Sequence, residues 1–350
     1  MNQIKPSLFG IRKSNRDFTL KETWGKNQFN SSFPISLSCY LDSKNIDAIN
    51  LCIQEKKFCQ STIAISEIFG LKPTDNDIYY AFESTYTPYQ KYIIGSLPRI
   101  DLVIQKESDG QCLSALEIKL TALPDNVTCN LQEEYYGSEI VVRPDTIVYL
   151  ACSIISSLNG ELGDIIPDIV IDDWSQEKLI LSKIDQIIDC IEQISYQLAE
   201  NQQSFLIQPI WKTRGKSPSL AENCLDVFVW SNAGFTYFIS TIANREITAN
   251  SINRQTRTAI WLYKMLQDFK NHRKFNHKKI IDNLSYNTKN DKAFASSGNI
   301  TNKYMMCDRL TKPIIKKDEI KNIILGGSQN LLSPERRFDA IVFNSPDLFR

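Results

Sequence analysis

A chain of 350 residues, 42% of them hydrophobic, can bury a sizeable core as one large domain or two smaller ones, and its 40 basic and 40 acidic side chains cancel. Nine cysteines, an odd number without a CxxC pair, and only two histidines argue against a disulfide frame, a zinc cluster and a His-rich metal site, as expected of a reduced, soluble cytoplasmic protein. The longest apolar run, 146–155, is too short to span a bilayer, and the N-terminus lacks the apolar core of a signal peptide.

Residues 1–41 are rich in Asn, Ser, Lys and aromatics and show no clear periodicity. Ile46, Ile49 and Ile53 share one helical face and predict a helix over 43–58. Residues 62–69 fit either helix or strand. Asp75 or Asp77 caps a second predicted helix that runs to about Tyr86 and ends near Pro88. Two strands follow, the first opening at Pro98 and the second over 115–120. Asp109-Gly110 between them is a tight-turn signal, so they pair as an antiparallel hairpin. A strand over 140–142 ends at Arg143, because Pro144 cannot donate to a ladder. Residues 146–158 read as a buried helix stopped by Asn159-Gly160.

The strongest helix signal covers 173–200. Asp173 with Gln176 has the form of a capping box. Ile180, Ile184, Ile187, Ile191, Ile194 and Leu198 then alternate four and three apart, a seam that serves either the core or a subunit contact. Residues 225–230 and 234–239 read as two strands. Ser251 caps a helix to about Asn271, with Arg254 and Arg257 in its first turns, and a basic run follows: Lys270, Arg273, Lys274, Lys278 and Lys279. Residues 282–305 read as loop. Ser333-Pro334 opens a last helix that carries Arg336 and Arg337.

The chemistry concentrates in PRIDLVIQKESDGQCLSALEIKL, residues 98–120. Residues two apart on a strand share a face. Leu116, Ile118 and Leu120 therefore face a core, while Glu117 and Lys119 project together. Asp101 is likewise set off from Ile100, Leu102 and Ile104, and the hairpin brings Asp101, Glu117 and Lys119 onto one rim. Two carboxylates with the Ile118 carbonyl offer the hard oxygen ligands that Mg²⁺ prefers. Such an ion polarises a phosphoryl oxygen and acidifies a bound water. Lys119 would orient that water and offset the charge that builds on the phosphorane. Whether it also accepts the proton is left open by the sequence, because a free lysine is cationic near neutrality. A half-buried hairpin with ordinary surface charges meets so short a pattern by chance. Against that, both acids stand inside apolar segments, where an unpaired charge is costly.

Pro98-Arg99-Ile100-Asp101 and Glu117-Ile118-Lys119 resemble the PD-(D/E)XK nuclease superfamily, with two residues intervening between the proline and the aspartate. Residues 5–41, KPSLFGIRKSNRDFTLKETWGKNQFNSSFPISLSCYL, are similar to the start of the HindVP family of type II restriction endonucleases. EIKLTALPD at 117–125 and the Arg254/Arg257 region with TAIWLYKML are similar too, so the likeness covers most of the chain. The resemblance implies an α/β (α+β) fold: a restriction-endonuclease-like core, a mixed central sheet flanked by helices, with added DNA-recognition elements. It implies a Mg²⁺-dependent endonuclease that cuts double-stranded DNA at a short, nearly palindromic site, GRCGYC in the family's prototype, with a methyltransferase encoded separately. Superfamily members often carry a supporting acid on a helix before the hairpin; the resemblance implies Glu83 for it, and an ordinary exposed helix acid is the plainer account of that residue.

The charge is segregated: residues 1–200 hold 17 Lys/Arg and 28 Asp/Glu, and residues 201–350 hold 23 and 12. This predicts an N-terminal arm and nuclease core over 1–200 and a basic DNA-recognition region over 201–350, separate or continuous. The expected DNA contacts are Lys26, Asn27, Arg254, Arg257, Lys274, Arg336 and Arg337, because arginine matches guanine and cations match phosphates. Surface ion pairs are the plainer account of each arginine. His272 and His277 would meet phosphate or solvent. A palindromic target matches a symmetric homodimer. A structure-specific repair or recombination nuclease and a non-catalytic DNA-binding protein remain the alternatives.

Overall fold

The structure, a computed structural model, describes residues 13–16, 35, 38–39, 41–42, 45–69, 72, 75–120, 139–203, 205–208, 212–214, 219–221, 227–229, 231–245, 252, 254–286 and 294–297. The chain runs β1 (Ala48–Gln54), β2 (Lys57–Ile63), α1 (Ile65–Phe69), β3 (Ile78–Ser84), β4 (Ile100–Lys106), β5 (Cys112–Leu116), β6 (Ile118–Leu120) and β7 (Glu139–Val142). It continues through α2 (Pro144–Ser157), α3 (Glu177–Leu181), α4 (Ile184–Glu200), β8 (Phe205–Gln208), β9 (Lys212–Arg214), β10 (Ser219–Ala221) and β11 (Val227–Val229). Last come α5 (Asn232–Arg245), α6 (Arg254–His272), α7 (His277–Asn283) and β12 (Phe294–Ser297).

The architecture is α+β. Among the described residues, a three-stranded sheet has the order β3-β4-β5 and a five-stranded sheet the order β2-β1-β8-β11-β6, with two further strand pairs, β9-β10 and β7-β12. A mixed central sheet was expected. Every pairing between these strands is antiparallel instead, and parallel bridging is confined to Ser14–Tyr80 and Ile93–Phe275. No helix among the described residues is long and apolar enough to cross a membrane.

The hairpin of β4 and β5 forms as expected. Gly110 takes a positive φ of 72°, and Asp109 Oδ1 accepts the Gln111 amide at 2.8 Å. α2 also forms, with Pro144 in its first turn, and Asn159 and Gly160 in left-handed conformations just past its end. It is buried nearly all round, from Thr146 to Ile155, which makes it the central helix of the core.

Five elements differ from the sequence reading, among them β12, which forms inside the expected loop over 282–305 and pairs with β7. The helix expected over 43–58 is the hairpin β1–β2, closed by Glu55 and Lys56 at φ 48° and 61°. Ile49, Leu51 and Ile53 satisfy a period of two as well as Ile46, Ile49 and Ile53 satisfy a helix, and β-branched content favours the strand. The helix expected after Asp77 is β3. Asp77 caps nothing helical; its carboxylate accepts the Ser108 amide and hydroxyl, both at 2.9 Å, and so braces the β4–β5 turn. The long helix over 173–200 is interrupted at Ser182 and Lys183, and Asp173 instead folds a turn with Ser175 and Gln176 before α3. Residues 234–239 belong to α5. Their Phe, Thr, Tyr and Ile favour strand, but Thr236 and Ser240 bond back to carbonyls three and four residues earlier, and Phe235, Phe238 and Ile239 bury into the core.

The isoleucine seam lies inside the protomer. Ile184, Ile187, Ile191, Ile194 and Leu198 are buried where α4 packs against α5 and α6. Removing the Ile191 side chain beyond Cβ should leave a cavity there. Ile191→Ala is expected to lower unfolding free energy by about 2–5 kcal/mol in denaturant titration.

His277 opens α7 and is buried, with no hydrogen-bond partner for Nδ1 among the described residues. It meets neither phosphate nor solvent there. Burial first, then the charge of Lys278, holds its pKa below the ordinary value. Both folded and unfolded imidazoles are neutral above about pH 7. On acidification through about pH 6.5 the unfolded chain takes up the proton first, so stability falls toward the lower folded pKa. His277→Gln should flatten the fall in thermal midpoint between about pH 7.5 and 5.5. Equal slopes in the two proteins would show that His277 contributes none of it.

Candidate active site

Three acids, Glu83, Asp101 and Glu117, lie toward one end of the β3–β4–β5 meander. Leu102 stands opposite Leu116 in the last pair of that antiparallel register, and Asp101 and Glu117 are the residues just beyond it on each side. Phe82 pairs with Leu102 and Ser84 with Ile100, which sets Glu83 against Asp101 from the other side. Glu83 was expected on a helix; it reaches this row from a strand. Its own backbone leaves the ladder, at φ 47°.

At Glu117 the chain changes sheets. β5 ends at Leu116, and β6 pairs with β11 in the five-stranded sheet, Ile118 opposite Val229 and Lys119 opposite Phe228. Asp101 fixes the crossing: its Oδ2 accepts the Ile118 amide at 2.8 Å. Glu117 was expected on an outer face with Lys119. It is instead 6% exposed, because the strand breaks there and turns its side chain toward α2. Its Oε1 accepts the Thr146 hydroxyl at 2.8 Å. Thr146 is in the first turn of α2, where the positive end of the helix dipole favours an anion. The Lys119 side chain lies outside the described residues.

Two groups at this site have no counterpart in the sequence reading besides Thr146. Asp145, also in the first turn of α2, is held above the usual carboxylate range by burial and then by the charge of Glu117, with Arg143 opposing. Arg16 approaches from the N-terminal segment, its Nη2 3.8 Å from Glu83 Oε1 and its guanidinium 4.1 Å from the Phe82 ring centroid. A Pro-Asp-Thr helix start hints at the first group; nothing local in the sequence marks the second.

Asp101, Glu117 and the Ile118 carbonyl form an all-oxygen donor set. A carboxylate has about four acceptor sites, so the Ile118 and Thr146 hydrogen bonds are compatible with binding a cation. Among the described residues no group of three or more His, Cys, Asp or Glu could hold a metal alone. A pair of carboxylates is nonetheless what Mg²⁺ usually takes from protein, with water completing its shell.

Of the expected DNA contacts, the side chains of Arg257 and Lys274 are among the described residues. Arg257 is 2% exposed, its Nη1 donating to the Ser285 carbonyl at 2.7 Å and the Tyr286 carbonyl at 3.3 Å, with Trp261 alongside. That places it inside the protein, tying α6 to the end of α7, and not on a surface that meets a duplex. Arg254 is the first residue of α6, with its side chain outside the described residues. Lys274 is exposed beside exposed Arg273 in the link between α6 and α7. Lys26, Asn27, Arg336 and Arg337 lie outside the described residues.

A family model described as HindVP restriction endonuclease matches residues 24–349. The chain is 51% identical over 350 residues to the probable type II restriction enzyme HindVP of Haemophilus influenzae, covering 99% of this chain and 96% of that protein. It is 44% identical to the type II restriction enzyme HgiDI of Herpetosiphon aurantiacus, covering 99% and 97%. No solved structure gives a significant match. With the match spanning nearly the whole chain, and the Asp101–Glu117 pair inside it, the chain belongs to the HindVP restriction endonuclease family.

Proposed function

We propose that this chain is a type II restriction endonuclease that uses Mg²⁺ to hydrolyse both strands of duplex DNA at a short, near-palindromic site. The observation that carries the reading is that Asp101 and Glu117 are the residues just beyond the last β4–β5 pair, with Asp101 bonded to the Ile118 amide and α2 following. That order of acids, strands and helix is the one a PD-(D/E)XK core would have, and the relatives named as type II restriction enzymes add to it.

A bound Mg²⁺ supplies Lewis acidity and a water acidic enough to attack a phosphodiester. The chain's own groups do the rest. Asp101 and Glu117, with the Ile118 carbonyl, would hold the cation. The Ile118 amide orients Asp101, and Thr146 orients Glu117. Lys119 orients the attacking water and offsets charge as it builds on the phosphorane. Glu83 supports the site from β3. Lys274, Arg254, Lys26, Asn27, Arg336 and Arg337 contact the duplex, and Arg257 supports α6 from within. A homodimer brings one such site to each strand of a two-fold target. A separately encoded methyltransferase would protect the host's own copies of that target.

Incubating the purified protein with plasmid and Mg²⁺ should give discrete fragments, and a chelator should stop the reaction. Asp101→Asn and Glu117→Gln should each lower the cleavage rate by about 100-fold or more while leaving the protein folded. Sequencing the fragment ends reports the recognised bases and the stagger, and compares them with GRCGYC. Preference for branched DNA would replace this reading with a structure-specific nuclease. Salt-sensitive binding without cleavage in Mg²⁺ or Mn²⁺ would replace it with a DNA-binding protein.

A further inference from the structure

The connection from β3 to β4, residues 85–99, leaves and rejoins the meander at the end that bears the acids. One buried side chain closes its root. Tyr149, on α2 and 1% exposed, sets its hydroxyl between the two ends of this connection. The hydroxyl accepts the Tyr86 amide and donates to the Pro98 carbonyl, both at 2.9 Å. Burial raises the Tyr149 pKa, so the phenol keeps the proton it donates. Tyr149 follows Thr146 by three residues, so the two share one face of α2. Thr146 bonds Glu117 from that face at 2.8 Å, and Tyr149 bonds the approach to Asp101.

The ladder of β4 thins at Asp101. Its register with β5 ends at Leu102. Its register with β3 passes from Leu102 to Ile100, while Glu83 turns left-handed at φ 47°. The Asp101 carboxylate is bonded to the Ile118 amide, which fixes where the side chain ends but not where its strand begins. The strand's own anchor lies at Pro98. A proline has no amide to give a ladder, so its carbonyl is the backbone group that can be held. Three extended residues, about 10 Å of chain, lead from it to Asp101.

We propose that Tyr149 is a positioning residue of the nuclease site: its hydroxyl holds the β3–β4 connection at Tyr86 and Pro98, and so sets Asp101 where one divalent cation can bridge it to Glu117. Thr146, one turn earlier on the same helix, does this for Glu117. The proposal rests on the nuclease reading for the cation's purpose, but the hydrogen bonds are independent of DNA.

The test is Mn²⁺ affinity, read by calorimetry on the full chain without DNA, at a temperature where circular dichroism shows each variant folded. Tyr149→Phe removes only the hydroxyl. It should weaken Mn²⁺ binding by about tenfold, the size typical of losing a group that orients a metal ligand. Tyr89→Phe is the control. The Tyr89 hydroxyl bonds Ser153, one turn further along α2, so this variant should lower the thermal midpoint and keep its Mn²⁺ affinity. Beside Asp101→Asn, Tyr149→Phe should cost no further affinity, because Tyr149 acts through Asp101. Unchanged Mn²⁺ affinity in Tyr149→Phe would overturn the proposal. So would an equal loss in Tyr89→Phe, or a full loss that persists beside Asp101→Asn. Should Tyr149→Phe not fold, hydrogen exchange on the unaltered protein decides. Coupling between two sites is reciprocal, so Mn²⁺ should slow exchange of the Tyr86 amide, and an unchanged rate would overturn the proposal. Coupled Mn²⁺ affinities without DNA cleavage by the unaltered protein would sink the nuclease reading and leave this one; cleavage with unchanged Mn²⁺ affinity in Tyr149→Phe would do the reverse.

Discussion

The hydrogen bond from the Ile118 amide to the Asp101 carboxylate organises the candidate site. A strand that passes from one sheet to another leaves a residue at the crossing without a ladder on either side. Here the crossing residue is Glu117, between β5 in the three-stranded sheet and β6 in the five-stranded one. Asp101 supplies the missing partner one residue beyond. A hydrogen bond to a charged acceptor contributes about 1.5–3 kcal/mol, enough to set the direction in which the chain leaves β5. One carboxylate thus positions the other.

Glu117 bears the larger electrostatic cost. A carboxylate 6% exposed is disfavoured unless its oxygens are bonded. The Thr146 hydroxyl and the positive end of α2 both favour its charge. α2 is rigid for a separate reason: Ile147, Val148, Leu150, Ala151, Ile154 and Ile155 are fully buried, so its first turn has little freedom to move. The acid is held by the most enclosed helix of the core. Asp145 shows the consequence, since its carboxyl is pushed up partly by the Glu117 charge. Acids crowded in this way repel one another, and a divalent cation would relieve that repulsion where it is strongest.

Local signals were readable where one short stretch decides the outcome. The Asp109-Gly110 turn, the Pro144 start and the Asn159-Gly160 stop each act within a few residues, and the hairpin and α2 formed accordingly. The same hairpin leaves Asp101 and Glu117 just beyond its last pair, but Glu117 turns inward to α2 and not onto the outer rim that strand alternation implied. Where two periods fitted the same residues, as at 46–53, the sequence could not arbitrate, and the Glu55-Lys56 turn lacks the glycine or asparagine that would have marked it. α5 reversed its propensity because tertiary burial and back-bonded hydroxyls outweighed it. Thr146 is 29 residues from Glu117, and Asn15 is 67 from Phe82. No local pattern encodes such pairings, so the groups bonded across these distances had no signal in the sequence.

The division of charge along the sequence is not a division of the fold. β6, from the acidic half, is held by β11 from the basic half, and β11 by β8, which also pairs with β1. The buried cluster likewise joins α2 and α4 to α5 and α6. A row of carboxylates repels a phosphate backbone, and this repulsion is long-ranged compared with the contacts that hold the row. For a duplex to approach, cations must outweigh it nearby. The exposed Arg273, Lys274, Lys278 and Lys279 belong to the basic half, while Arg16 comes from the start of the chain. Sheets shared between the halves make the distance between acids and cations a property of the folded core, not of a linker. A nuclease needs that fixed distance, because its phosphate contacts must register the scissile bond against the acids.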